Sequence, residues 1–158
     1  CVAGSTRRTP VSRLVSVDGT PGAQRNRLRR TIAEALRLLV MKPTLDDEAK
    51  DLAATIVFSL RAIKEGVEQT AAAWEKRNYF VKADRFRMEW DWVPRVEREM
   101  SEVILLGEWH KLLPVLGELT GRFHDVTVNK MTRSSKLWKG AYQRLLEEKS
   151  APAWRGKV

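Results

Sequence analysis

The chain is poor in the residues that staple, hinge or span a fold. A single cysteine cannot build a disulfide framework. The 9 glycines and 6 prolines are scattered; they follow no Gly-X-Y period, which excludes a collagen-like chain. No GxGxxG or GxxxxGK run is present to cradle a phosphate group. No apolar run approaches the roughly twenty residues that a membrane-spanning helix needs. Acidic side chains are also short in supply, 20 Asp and Glu against 29 Lys and Arg, so the formal net charge is +9.

What remains is material for one domain. At 158 residues, a compact chain buries roughly two thirds of the surface that its unfolded form exposes. Hydrophobic residues make up 43%, six of them tryptophan, enough for a real core and against wholesale disorder. The charge is segmental. Residues 1–42 carry net +7, residues 43–108 net −4 and residues 109–158 net +6, so the middle is acidic and both ends are basic.

Residues 1–17 hold Arg7, Arg8 and Arg13 with several Ser and Thr and no acid. That style matches organelle transit peptides, a plastid one foremost, and the chain then starts at Cys1 as a processed product or fragment. A bacterial lipoprotein with a lipidated Cys1 fits less well, because basic charge directly after an anchor resists export. Gly19, Thr20, Pro21 and Gly22 punctuate the chain. Residues 1–23 are expected to be a disordered basic tail, residues 24–150 a single helical domain, and residues 151–158 a C-terminal tail.

Helical spacing begins at Gln24. Leu28, Ile32, Leu36, Leu39 and Val40 are expected to share one face, and Lys42-Pro43 ends it. Asp46, Asp47 and Glu48 suit a helix N-terminus. The stripe Ala49, Leu52, Ile56, Leu60, Ile63, Val67 and Trp74 predicts one long helix over about 46–77, close to 45 Å at 1.5 Å per residue. With neither Gly nor Pro at residues 78–81, a bend inside continuing helical structure is expected there. Pro94 should kink or restart the next helix, and Gly107 should close it. Leu112, Leu113, Leu116, Leu119 and Phe123 mark a further helix, residues 129–135 a polar loop, and Leu137, Trp138, Ala141, Leu145 and Leu146 a short last helix. The expected fold is all-α, a bundle of four to five amphipathic helices.

Catalytic constellations are hard to assemble. His110 and His124 would lie roughly 21 Å apart along a helix and cannot share a metal ion. The Glu-x-x-His pattern of di-iron bundles would need Glu at 107 or 121, and both are Gly. Glu65, Glu68 and Glu75 share a stripe, but the interleaved Lys64, Lys76 and Arg77 read as a solvated, ion-paired face. No enzyme activity, cofactor or metal is expected.

Two features point to binding. Residues 79–92 hold five of the twelve Trp, Tyr and Phe, interleaved with Lys82, Arg85 and Arg87. Such a mixture stacks bases or builds a protein interface, where Tyr, Trp and Arg dominate. A plainer account puts Phe86, Trp90 and Val93 on a core face and pairs the arginines with Asp84, Glu89 and Asp91. That leaves Tyr79 and Trp92 as the expected exposed aromatics of a partner-binding set: Tyr79, Lys82, Arg85, Arg87, Trp92 and Arg95. The second feature is the pair of basic ends, Arg25, Arg27, Arg29 and Arg30 with Lys130, Arg133, Lys136 and Lys139. They suit an acidic protein surface, the phosphates of RNA or DNA, or an anionic membrane face touched peripherally. The expected function is that of a non-enzymatic accessory or assembly protein bound to a larger protein complex; a nucleic-acid-binding subunit is the alternative.

Overall fold

The computed structural model describes residues 19–150, which are helical and without strands. The expectations for residues 1–18 and 151–158 lie outside the described residues. Helix α1 spans Pro21–Val40, three residues earlier than the apolar spacing suggests. The Thr20 side chain accepts the Ala23 N–H at 3.1 Å, and Pro21 fills the first turn, where no donor is needed. A Gly-Thr-Pro-Gly run that reads as a break is therefore a helix start.

Helix α2, Asp47–Lys76, is the long helix. Asp46 caps it by accepting the Ala49 N–H at 2.8 Å, and Asp47 and Glu48 occupy its first turn. From residue 52 to residue 60 every position is buried. A helix that is apolar all round belongs at the centre of a bundle. Neighbouring helices pack on it from several sides.

At residue 78 the structure corrects the expected bend. Asn78 adopts φ 65°, the Tyr79 N–H reaches back to the Trp74 carbonyl at 2.9 Å, and the Asn78 N–H bonds the Glu75 carbonyl at 2.9 Å. That pair of bonds is a Schellman cap, which needs a left-handed residue after the helix; asparagine tolerates the conformation. The chain turns back, and helix α3, Phe80–Glu89, packs against α2. The Trp74 and Phe86 rings meet edge to face at 5.1 Å.

Helix α4 covers Trp92–Leu105. Pro94 sits in its first turn, so it restarts the helix without a kink. Gly107, φ 69°, repeats the cap seen at Asn78, with Glu108 N–H on the Val103 carbonyl and Gly107 N–H on the Ile104 carbonyl. A 3-10 turn, Trp109–Lys111, leads into α5, Leu112–Arg122, whose first turn accommodates Pro114. Residues 123–140 are irregular. The last helix, α6, Ala141–Ser150, starts later than Leu137. The N–H groups of Gly140, just before it, and of Tyr142 in its first turn are accepted by the Asp51 carboxylate of α2, and the Trp138 indole donates to Glu48.

The fold is the expected all-α bundle. The core runs from Leu28, Ile32 and Leu36 of α1 through α2 to Val93, Val96, Met100 and Ile104 of α4, Leu116 and Leu119 of α5, and Leu145 of α6. Helix α3 buries Ala83 alone and packs the partly buried Phe86 against this core. Asn78→Gly should leave stability within about 0.5 kcal/mol, since glycine adopts positive φ freely. Asn78→Val should lower it by about 1–2 kcal/mol, the cost of a β-branched residue held left-handed. Urea unfolding midpoints measure both; a silent valine variant would mean that the corner is not built on this cap.

Candidate binding surface at the α2–α3 corner

The two basic ends are some 100 residues apart in sequence and adjacent in space, because the irregular chain after α5 crosses α1. Most of their guanidinium groups are consumed in that crossing. Arg30 donates to the carbonyls of Thr127 and Lys130 at 3.0 and 2.7 Å, and Arg37 donates to that of Val128. Arg29 pairs with Asp125, and Arg133 donates to the Arg27 carbonyl and the Thr31 hydroxyl.

At the centre is Glu34, whose side chain is 1% exposed. It accepts from Arg30, from the Thr132 hydroxyl, and from the Thr132 and Arg133 backbone N–H groups. Burial disfavours its charge, yet these donors outweigh burial and hold the carboxyl at about 2. Burial lowers the guanidinium of Arg133, and Glu34 beside it works the other way. Arg25 lies over the rings of Phe86 and Trp90 at 4.8 and 5.9 Å, and burial lowers its pKa as well. Arg27 has two buried nitrogens without a partner. Of the expected anion-binding set, then, Arg29, Arg30 and Arg133 are structural. Lys130, Lys136 and Lys139 are exposed and make no ion pair among the described residues.

The aromatic stretch divides in the same way. Trp92 is only 8% exposed and packs edge to face on Phe123 at 5.7 Å, with Arg122 over its other side. It is a core residue, contrary to the expected exposure, because it opens α4 on the face that meets α5. Arg95 is engaged by Glu118 and Glu99. Arg87 does not pair mainly with its own helix. It bridges back to Glu68 and Glu75 of α2, with Asp84 at 3.9 Å. Its hydrogen bonds hold both α2 carboxyls below the usual range. The acidic stripe on α2 is thus a clamp for α3.

What remains uncommitted is the corner itself. No residue from 72 to 82 is buried. Tyr79, Phe80 and Val81 are 48%, 55% and 65% exposed, and Met88 one helix face away is 70% exposed. Residues Arg77, Asn78, Tyr79, Phe80, Val81 and Lys82 line a shallow open pocket of about 580 Å³. Arg77 lies over the Tyr79 ring at 5.3 Å and Lys82 over Trp74 at 4.5 Å. Lys76, Arg77, Lys82 and Arg85 make no ion pair among the described residues. Tyr79, Lys82 and Arg85 of the expected partner-binding set lie exposed at the corner; Phe80, Val81 and Met88, exposed beside them, are not in that set. A signal existed, since three consecutive apolar residues cannot all face one core from a helix.

Among the described residues no cluster of His, Cys, Asp or Glu is placed to hold a metal ion, and no helix is long and apolar enough to cross a membrane. Comparison with protein-family models, curated proteins and solved structures finds no match for this chain.

Glu34 gives a pH dependence of definite sign. Its pKa is lowered by folding, so its contribution is fully present above the unfolded value near 4.5 and is lost as pH falls towards about 2. Over that window stability should drop by about 3 kcal/mol from this group. Glu34→Gln should remove most of that slope, read from unfolding midpoints between about pH 2 and 6. An unchanged slope would show that Glu34 is not the charged anchor.

Proposed function

We propose that this chain is a non-enzymatic accessory or assembly protein that binds a larger protein complex, with the α2–α3 corner as its contact. One observation carries the reading: Tyr79, Phe80 and Val81 stand exposed together, beside cations with no carboxylate of their own. Contiguous exposed apolar surface of this kind marks interaction sites in proteins that otherwise bury it. Aromatic and arginine side chains are the types enriched in such contacts. The exposed Lys130, Lys136 and Lys139 would steer approach to an acidic surface rather than hold it. A plastid compartment enters this reading on the composition of residues 1–17 alone.

The alternative, a nucleic-acid-binding subunit, draws on a single feature: residues 129–139 contain no acid, and three of their lysines are exposed and unpaired. Phosphate contacts would lose orders of magnitude in affinity between about 50 and 300 mM salt. The proposal expects no such binding in an anisotropy titration with single- and double-stranded DNA and RNA.

The direct test is copurification. Phe80→Ser combined with Arg85→Glu should deplete copurifying protein by about tenfold, as loss of a hot-spot pair does. The helical circular dichroism should stay unchanged, because neither side chain is in the core. An identical set of partners at wild-type yield would remove the corner from the reading.

A further inference from the structure

We infer that the corner takes an acidic amphipathic helix of a partner protein, one that sets carboxylates around an apolar anchor; this rests on the reading of the corner as a protein contact. Charge supplies the first argument. Lys76, Arg77, Lys82 and Arg85 flank the exposed apolar residues along the chain, Arg77 and Lys82 lining the pocket with them, and Asp84 is the single acid between residues 76 and 88. The α2 carboxylates Glu68 and Glu75 do not neutralise these cations, because Arg87 already holds both. A basic partner would meet four cations with Asp84 alone among them to offset the repulsion, whereas an acidic one gains four cations that make no ion pair among the described residues.

Topology supplies the second. The described residues contain no strand and hence no sheet edge, so an extended peptide has no ladder of backbone groups to join. Contact must run through side chains, and a helix satisfies its own backbone while presenting one apolar face. The pocket supplies the third. About 580 Å³ lined by Tyr79, Phe80 and Val81 with Arg77 and Lys82 offers apolar contact for an anchor side chain and cations for carboxylates beside it. Arg77 is already laid across the Tyr79 ring, which fixes its guanidinium where a carboxylate can meet it in two-point fashion.

The experiment uses the full chain and a fluorescein-labelled helical peptide with Leu at positions i, i+3, i+4 and i+7 and Glu elsewhere. A Lys/Leu peptide of the same pattern and vesicles about one-third phosphatidylserine serve as the other arms. The Glu/Leu peptide should bind at about 50 mM salt and weaken severalfold by about 300 mM, as screened surface charges require. Phe80→Ser and Arg85→Glu should each weaken it by about fivefold, one by losing the anchor and one by reversing a charge. The Lys/Leu peptide should not bind. Equal binding of both peptides, or binding indifferent to both substitutions, overturns the inference. Vesicle binding without Glu/Leu peptide binding also overturns it and assigns the corner to an anionic membrane surface. If Phe80→Ser with Arg85→Glu depletes copurifying protein while the Glu/Leu peptide fails to bind, the contact stands and its acidic character falls. If the peptide binds at the corner and copurification is unchanged, the acidic preference stands and the accessory-protein reading falls.

Discussion

The structure depends on a mismatch of length. Helix α2 has thirty residues, about 45 Å at the usual rise, and its buried residues end at Ala71. A helix that outruns its core must either end in solvent or be followed back by the chain. Here the chain follows it back, and the turn falls where no apolar neighbour is available. Tyr79, Phe80 and Val81 are exposed for that reason, and the site proposed above is a consequence of where α2 stops.

Two devices make the overshoot tolerable. The Schellman cap at Asn78 satisfies the end of α2 without help from the core. The Arg87 bridge to Glu68 and Glu75 then ties α3 to α2 although α3 buries only Ala83. A single exposed ion pair is worth little, but one guanidinium bridging two carboxylates holds three side chains in one geometry. The corner is therefore a poorly buried but well-tethered element. A docking surface gains from that combination, since a rigid apolar tip loses less conformational entropy on binding than a mobile one.

Much of the fold was legible because its signals are local. The long stripe through Leu52, Ile56, Leu60 and Ile63 fixed α2, and Gly107 announced the end of α4. Asn78 was not legible as a turn, although it makes the same cap as Gly107, since asparagine adopts the left-handed region less freely than glycine and is also common in other conformations, so it marks a cap less sharply. Trp92 misled for a related reason. Nothing in its neighbourhood shows that α4 starts at Trp92 and turns that ring onto Phe123. The arginines near both ends misled more deeply. Their positive charge is visible in sequence, but the carbonyls of Thr127, Val128 and Lys130 that use it carry no charge to be seen, and Glu34 is a lone acid among basic neighbours.

That last point bears on how the net charge of +9 should be understood. Guanidinium groups that hold the 125–133 segment against α1 are already donating, so they offer little to a polyanion. Part of the acidic charge is likewise engaged: Glu97 receives Arg61 and Lys64, Glu68 and Glu75 share Arg87, and beyond that segment Glu118 receives Arg95. Lys130, Lys136 and Lys139 stay exposed without an ion pair among the described residues, as do the cations of the corner. At the corner such cations are joined to exposed aromatic and aliphatic surface. Long-range charge speeds encounter, whereas desolvated apolar contact sets residence time. A partner drawn in by the lysines alone would arrive quickly and leave quickly; one that reaches the corner has something to stay for.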